Sequence, residues 1–555
     1  MTSEAPLRVC IIGAGASGCA AAWALAQHPS RYDVQVFDPN VVAGGVATSE
    51  TPDPSLPYIN DGVQAAAPSY KNCLRLFTMS GCKPSPIFMK ISFNKAADSY
   101  WSNYRAETPI VEKLRDEIAK FEDVLKKVIK SEKFYVMWPI RRLLSWNNFS
   151  DDFMYKMVFP LAALFFGTGN QTPNVSSVIF ARVFLDPELR LFDYDKQRLL
   201  HQTPCMYAFD KLQDVYKGLV SEASKNGNVR FNLGCGIVHI TRTKEERGGI
   251  TVVDQKGFHH TFDRLISSCD AETASRLIPD KGFWEGRVLS SVKYFSDVTV
   301  THTDHAYMDK HYNIDTEDPT RGDQYFIKVY DQDKTKVEMS FNLSQYQPQL
   351  RAHLAASTPK AGTRRPREAD SDAEGSEREP ATVSGATNVF QTIFLDANDA
   401  AMWTSREISE DKVLMRRWWR QFGHTWRHYL QVVPWVRFAQ NTKNTFYAGS
   451  WTLVNTHEIA TISGLAAAYR LGAGYAFHKD ELARQQFQTY LEVAHGTKYE
   501  APDDAPELQP LDLPSSDPFE PSDPVHSALS SNTPSSDESG GGGGDIQVHQ
   551  HPPNK

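Results

Sequence analysis

Apolar and polar positions follow different periods in successive parts of the chain. Leu7–Ile12 (LRVCII) is a short apolar run with β-branched residues, the pattern of a buried parallel strand. It breaks into Gly13-Ala14-Gly15-Ala16-Ser17-Gly18, after which Ser17–His28 is rich in helix formers. A second run, Tyr32–Phe37, ends in Asp38, twenty residues after Gly18. Residues 71–204 are aromatic-rich, mostly helical in pattern and poor in glycine. There Thr108-Pro109 caps one long amphipathic helix whose stripe runs Ile110, Val111, Leu114, Ile118, Phe121, Leu125, Val128 and Ile129. The stripe suits burial against the rest of the domain better than contact with a membrane.

Residues 207–270 return to short elements: a helix over Tyr207–Asn226, then strands over Val229–Leu233, Ile237–Thr243, Gly249–Asp254 and His259–Ser267, read as a small meander. Residues 286–354 and 389–434 alternate strands and helices. Arg416-Arg417-Trp418-Trp419-Arg420 reads at helical spacing, with tryptophans alternating between core and surface rather than forming a patch for nucleic acid or lipid. Thr445–Gly449 reads as a final strand, Ser450–Thr456 as a loop and His457–Gly472 as a helix of small residues.

Composition adds boundaries. Ala355–Asn388 is Ser, Pro, Arg, Glu and Asp with hardly any large apolar residue, which predicts a flexible insertion. The Pro/Ser/Asp-rich stretch 500–555 predicts a disordered acidic tail. Residues 501–555 carry ten acids and one lysine, so the net charge of −8 leaves about +1 on residues 1–500 and no field to attract nucleic acid. Seven cysteines are scattered without metal-type spacing, so no metal is expected. No apolar run reaches membrane-span length, and a strand begins by residue 7, which leaves an intracellular, cytoplasmic protein as the expectation.

Strand, G-x-G-x-x-G turn, helix, strand and acid together form a dinucleotide fingerprint. Gly13 permits the tight turn, Gly15 lets backbone approach a pyrophosphate, and Gly18 lets the helix pack against the strand. The helix amino end offers N–H groups to the phosphates, and Asp38 can accept from ribose hydroxyls. One fingerprint rather than two argues against a second site for NAD(P)H.

With Gly44-Gly45 after the acid, Asn60-Asp61-Gly62-Val63-Gln64 further on, and Phe446-Tyr447-Ala448-Gly449 before the last helix, the chain resembles the flavin-containing amine oxidase and phytoene desaturase superfamily. The likeness covers roughly residues 5–70, 205–275 and 440–480. It implies noncovalent FAD held by Gly13, Gly15, Ala16, Ser17, Gly18, Asp38, Gly44, Gly45, Val238, Gly449 and Ser450, with Val238 meeting the adenine through its backbone. Val46 stands where that family usually has Arg, and Ser450-Trp451 where it has an acid. The fold class implied is α/β: a Rossmann-like FAD-binding domain (1–70, 205–285 and 435–480) interleaved with an α+β substrate domain (71–204 and 286–434).

The function implied is an FAD-dependent oxidoreductase that removes a hydride from a C–N or C–C bond of a small organic substrate, with O2 or another acceptor reoxidising the flavin. Trp101, Trp138, Trp146, Trp403, Trp418, Trp419, Trp426 and Trp435 suggest a sizeable apolar pocket and hence a hydrophobic substrate. No motif picks a catalytic base. Trp451 and His457 are the candidates, each weighed against a plain role: Trp451 as a core aromatic, His457 as the cap of its own helix. Two alternatives stay open: a flavin-dependent double-bond isomerase with no net redox change, and a non-catalytic scaffold that keeps the fold.

Overall fold

The computed structural model describes residues 5–105, 108–187, 191–200, 204–314, 323–357 and 387–501, with 511, 513 and 514. The expected insertion and acidic tail lie almost wholly outside these residues, and residues 355–357, at the start of that insertion, finish a helix, Pro348–Ser357.

A five-stranded parallel sheet runs in the order Val229–Leu233, Tyr32–Asp38, Leu7–Ile12, Arg264–Ser267, Thr445–Tyr447. Leu7–Ile12 sits at its centre, with Ile12 level with Phe37 on one side and Ser267 on the other. Val9, Cys10 and Ile11 are wholly buried, which is why this strand reads as an unbroken apolar run. Helix Ala16–Ala26 is buried from Ser17 onward because helix His457–Arg470 crosses it closely. A fully buried Arg242 fixes the last strand: its Nη1 donates to Glu285 Oε1 at 2.6 Å and to Thr445 Oγ1 at 3.0 Å, while the Tyr447 hydroxyl donates to Glu285 at 2.6 Å.

The expected strand His259–Ser267 is two strands. His259–Phe262 closes the meander with Ile237–Arg242 and Ile250–Asp254, whereas Arg264–Ser267 joins the parallel sheet. The chain changes sheet at Asp263, whose buried carboxylate accepts from the backbone N–H of Arg8 and of Gly248. The expected helix Tyr207–Asn226 likewise starts later, at Leu212, after a strand, Cys205–Ala208.

A seven-stranded sheet carries the other half, in the order Val413–Phe422, Tyr294–His302, Phe390–Phe394, Val337–Asn342, Tyr325–Val329, Ile91–Phe93, Trp101–Ser102. Residues 416–420 therefore lie on an edge strand, not at helical spacing. Arg417 and Trp419 face inward, and Trp418 is 60% exposed. Helices fill residues 109–185; the long amphipathic helix is broken at Leu114 into Pro109–Lys113 and Arg115–Lys130, and its stripe is buried, Ile118, Phe121, Leu125 and Val128 completely. Among the described residues no helix is long and apolar enough to cross a membrane.

Candidate dinucleotide site

The glycine turn leaves the first strand at Ile12 and enters its helix at Ala16. A Cβ on Gly18 would come within 1.8 Å of the Gly13 carbonyl oxygen, so only glycine fits beneath the turn. Asp38 holds the turn from outside: Oδ2 accepts from the Ala14 N–H at 2.7 Å and Oδ1 from the Asn40 N–H at 2.8 Å. Gly44 N–H donates to Ala14 C=O at 2.8 Å, which lays the Gly-Gly segment alongside. Gly45, at φ 62°, faces Gly15 so closely that a Cβ on it would stand 3.1 Å from the Gly15 Cα. Two bare Cα positions thus flank a helix amino end. The first helical hydrogen bond is Cys19 N–H to Gly15 C=O, so the N–H groups of Ala16, Ser17 and Gly18 have no helical acceptor. Gly15 and Ala16 are half-buried and Gly45 and Val46 exposed, leaving the cradle open.

Beyond Asp38 the surface is apolar. Val41, Val42, Val46 and Val238 are 78%, 39%, 54% and 53% exposed. The loop before Val238 is tied to the acid's segment, Cys235 N–H to Asp38 C=O and Gly234 N–H to Asn40 C=O. Val238 itself lies in a bulge: the ladder passes from Ile237 opposite Asp254 to His239 opposite Val253, skipping its backbone. An anchored carboxylate, unpaired N–H groups and exposed valines fit the phosphates, ribose and flat heterocycle of a dinucleotide.

From the cradle a line of contacts leads to the seven-stranded sheet. A Cβ on Gly62 would meet Val46 O at 2.1 Å and the Trp419 ring at 3.0 Å. Trp419 Nε1 donates to Thr299 Oγ1 at 3.1 Å. Gln64 Nε2 donates to Gln391 Oε1, and Gln391 Nε2 to Asp61 Oδ1, both at 3.0 Å. Arg417 Nη1 bonds Glu50 at 2.6 Å and Thr48 at 2.8 Å. One position further along the same face, Gln421 Oε1 accepts from Asn455 Nδ2 at 3.2 Å, and Asn455 Oδ1 from the Ser450 hydroxyl at 3.2 Å. Gln391, Arg417 and Gln421 are not among the expected site residues, and Trp419 is expected only as one of the pocket tryptophans; the alternation 417, 419, 421 points to three of the four once the segment is taken as a strand.

At the other helix amino end, side chains close the space. Thr456 Oγ1 accepts from Ile459 N–H and caps helix His457–Arg470. His457 is turned into an aromatic nest, its Nε2 2.6 Å from the Tyr216 hydroxyl with the Phe77 ring 5.2 Å away. Burial lowers its pKa to about 4, so the ring is neutral at pH 7. Glu458 is buried too, and burial pushes its carboxyl up to about 7 although Cys73 N–H and both Asn72 donors bond to it. Trp451 is 3% exposed and donates to Cys269 C=O at 3.2 Å. Gly449 is buried, its N–H donating to Ser463 Oγ, while Ser450 is half-buried.

An apolar cavity of about 40 Å³ lies behind this loop, lined by Tyr70, Ile179, Val183, Leu453, Ile459 and Tyr490 among others. It has room for water, not for a substrate. The tryptophans expected around a sizeable pocket lie in separate places: Trp101 stacks on Phe93 at 3.8 Å in the core, Trp435 on Trp284 at 5.0 Å, Trp138 meets Trp146 at 5.2 Å and Trp403 meets Trp418 at 6.0 Å, with Trp146 and Trp418 exposed. Among the described residues no three His, Cys, Asp or Glu side chains gather as metal ligands would.

Parallel sheet, glycine turn and anchored acid define a Rossmann-like fold with a second, sheet-based half. Residues 11–78 match the family model of the NAD(P)-binding Rossmann-like domain. No curated protein sequence matches. Among solved structures, putrescine oxidase aligns at TM-score 0.56 and 12% identity over 84% of this chain and 99% of that one. Cyclohexylamine oxidase from Brevibacterium oxydans gives 0.56 and 12% over 84% and 100%. A CLA-producing fatty acid isomerase from P. acnes gives 0.53 and 14% over 83% and 98%. The chain shares the fold of these amine oxidases and of the isomerase.

Proposed function

We propose that the chain is an FAD-dependent oxidoreductase that takes a hydride from a C–N or C–C bond of a small, hydrophobic substrate. The observation that carries this reading is the cradle in which Gly15 and Gly45 face each other over a free helix amino end, beside an acid already anchored by Ala14. FAD rather than NAD is supported by the Gly44-Gly45 pair and the strand–helix at 445–470, neither of which a simple nicotinamide dehydrogenase needs. Gly13, Gly15, Ala16, Ser17, Gly18, Gly44 and Gly45 would hold the pyrophosphate, Asp38 the ribose and the Val238 backbone the adenine. Gly449 and Ser450 lie towards the flavin end.

FAD, when bound, supplies the hydride acceptor; the chain's task is to position the substrate and keep water out. Trp451 and His457 serve that task from behind, as packing, and O2 or a second acceptor completes the cycle. The test is the absorption spectrum of the purified protein, with acid release of the chromophore. A two-banded spectrum and free FAD in the supernatant support the reading; a colourless protein that takes up no added FAD overturns it and leaves the scaffold alternative.

A second reading, a double-bond isomerase, is favoured by the likeness to the fatty acid isomerase and by the absence of an assignable base among the residues at the flavin end. Anaerobic substrate addition separates the two. Lasting bleaching marks an oxidoreductase, whereas turnover without bleaching or acceptor consumption marks an isomerase.

A further inference from the structure

The stripe of helix Arg115–Lys130 is buried, but the stretch that follows it is not. Phe134, Met137 and Trp146 are 55%, 48% and 69% exposed. The aromatic pair gathers on Trp138: its ring centroid lies 5.3 Å from Phe134 and 5.2 Å from Trp146, and the Arg142 guanidinium lies 4.5 Å from it. Such a cluster of large apolar side chains in water is costly without a partner.

The rim is predominantly basic. Residues 126–146 hold six basic residues and one acid, and all six cations are exposed. The acid, Glu132, is committed to Arg182 at 2.8 Å. Lys126 pairs with Glu122 at 2.9 Å; Lys127, Lys130, Lys133, Arg141 and Arg142 form no ion pair among the described residues. Since residues 1–500 sum to about +1, this is a local concentration of charge, not part of a generally basic surface.

We propose that residues 126–146 dock the protein on a bilayer carrying anionic headgroups. Phe134, Met137 and Trp146 enter the boundary between headgroups and acyl chains, while the lysines and arginines snorkel to the phosphates. Nucleic acid is the other polyanion with this charge complementarity. It is disfavoured because the rings meet edge to face, 71° for Trp138–Trp146 and 82° for Phe134–Tyr135, and so offer no parallel platform for bases, while Met137 offers neither a stacking face nor a hydrogen bond. A hydrophobic substrate dissolved in the bilayer would then reach the protein without crossing water.

The test is co-sedimentation of the full chain with phosphatidylcholine vesicles, with and without phosphatidylserine, at low and high salt. The expected result is about tenfold more protein bound to the anionic vesicles at low salt, and less as salt rises. Lys130→Glu with Lys133→Glu should lower that binding about tenfold. Phe134→Ser with Trp146→Ser should lower it about tenfold as well, with thermal unfolding unchanged because both side chains are exposed. The proposal is overturned by wild-type protein that stays in the supernatant with anionic vesicles, by binding that the aromatic substitutions leave intact, or by single-stranded nucleic acid that binds more tightly than the vesicles through these same residues.

Discussion

The two helices that cross beside the glycine turn begin differently. Helix Ala16–Ala26 begins in bare backbone: Gly15 half-open, Gly45 opposite it, three N–H groups free of helical partners. Helix His457–Arg470 begins among its own side chains, with His457 against Tyr216 and Phe77 and Glu458 tied to Asn72 and Cys73. The open end can accept a charged ligand as it stands. The closed end adds rigidity and lends its dipole, but its side chains face the protein.

Substitutions break or sharpen this contrast. The largest effect is expected at the open end: Gly18→Val drives its side chain into the Gly13 carbonyl, removing FAD from the purified protein and costing about 3 kcal/mol in denaturant unfolding. Cofactor retention by this variant would show that the turn is not the cradle.

The next effect marks the closed end by pH. The Glu458 carboxyl keeps its proton to about pH 7 when folded and releases it near 4.5 when unfolded. Its contribution to stability is therefore greatest below 4.5, falls as pH rises to 7 and is flat above, by at most about 3 kcal/mol. Glu458→Gln should flatten unfolding free energy across that window; a slope that survives unchanged would acquit this residue.

Asp38→Asn should weaken FAD about tenfold in a fluorescence titration, since a charge-assisted acceptor is lost at both the turn and the ribose. An unchanged affinity would limit Asp38 to holding the turn. His457→Ala is expected to act on stability alone, costing about 2 kcal/mol with the flavin spectrum unmoved. A shifted spectrum would place His457 at the flavin after all.

Legibility divides along the same line. Where a ligand would meet backbone, the requirement is a missing Cβ, and glycines at 13, 15, 18, 44 and 45 announce it in the sequence. Where side chains decide, position in a motif does not reveal direction: Trp451 and His457 stand at the expected places, yet one bonds Cys269 and the other Tyr216. The second sheet was harder still. Arg416-Arg417-Trp418-Trp419-Arg420 puts one Trp and at least one Arg on each face, so no period of two stands out. The pairing of Ile91–Phe93 with Tyr325–Val329 joins residues more than two hundred apart, which no local pattern encodes. The break at Leu114 carries neither Gly nor Pro to mark it.

The parallel sheet also sets an order of events during synthesis. Its central strand, Leu7–Ile12, leaves the ribosome first, but neighbours arrive only at residues 32–38 and 264–267, and the outermost strand at 445–447. At about 5–20 residues per second, the nascent chain waits roughly ten seconds to a minute with an unpaired apolar edge. Arg242 and Glu285, paired and buried in the finished protein, likewise await Thr445 and Tyr447. A product ending before residue 445 would expose the flank of Arg264–Ser267 as a template for another chain. Such truncated chains would be substrates for chaperones and proteases.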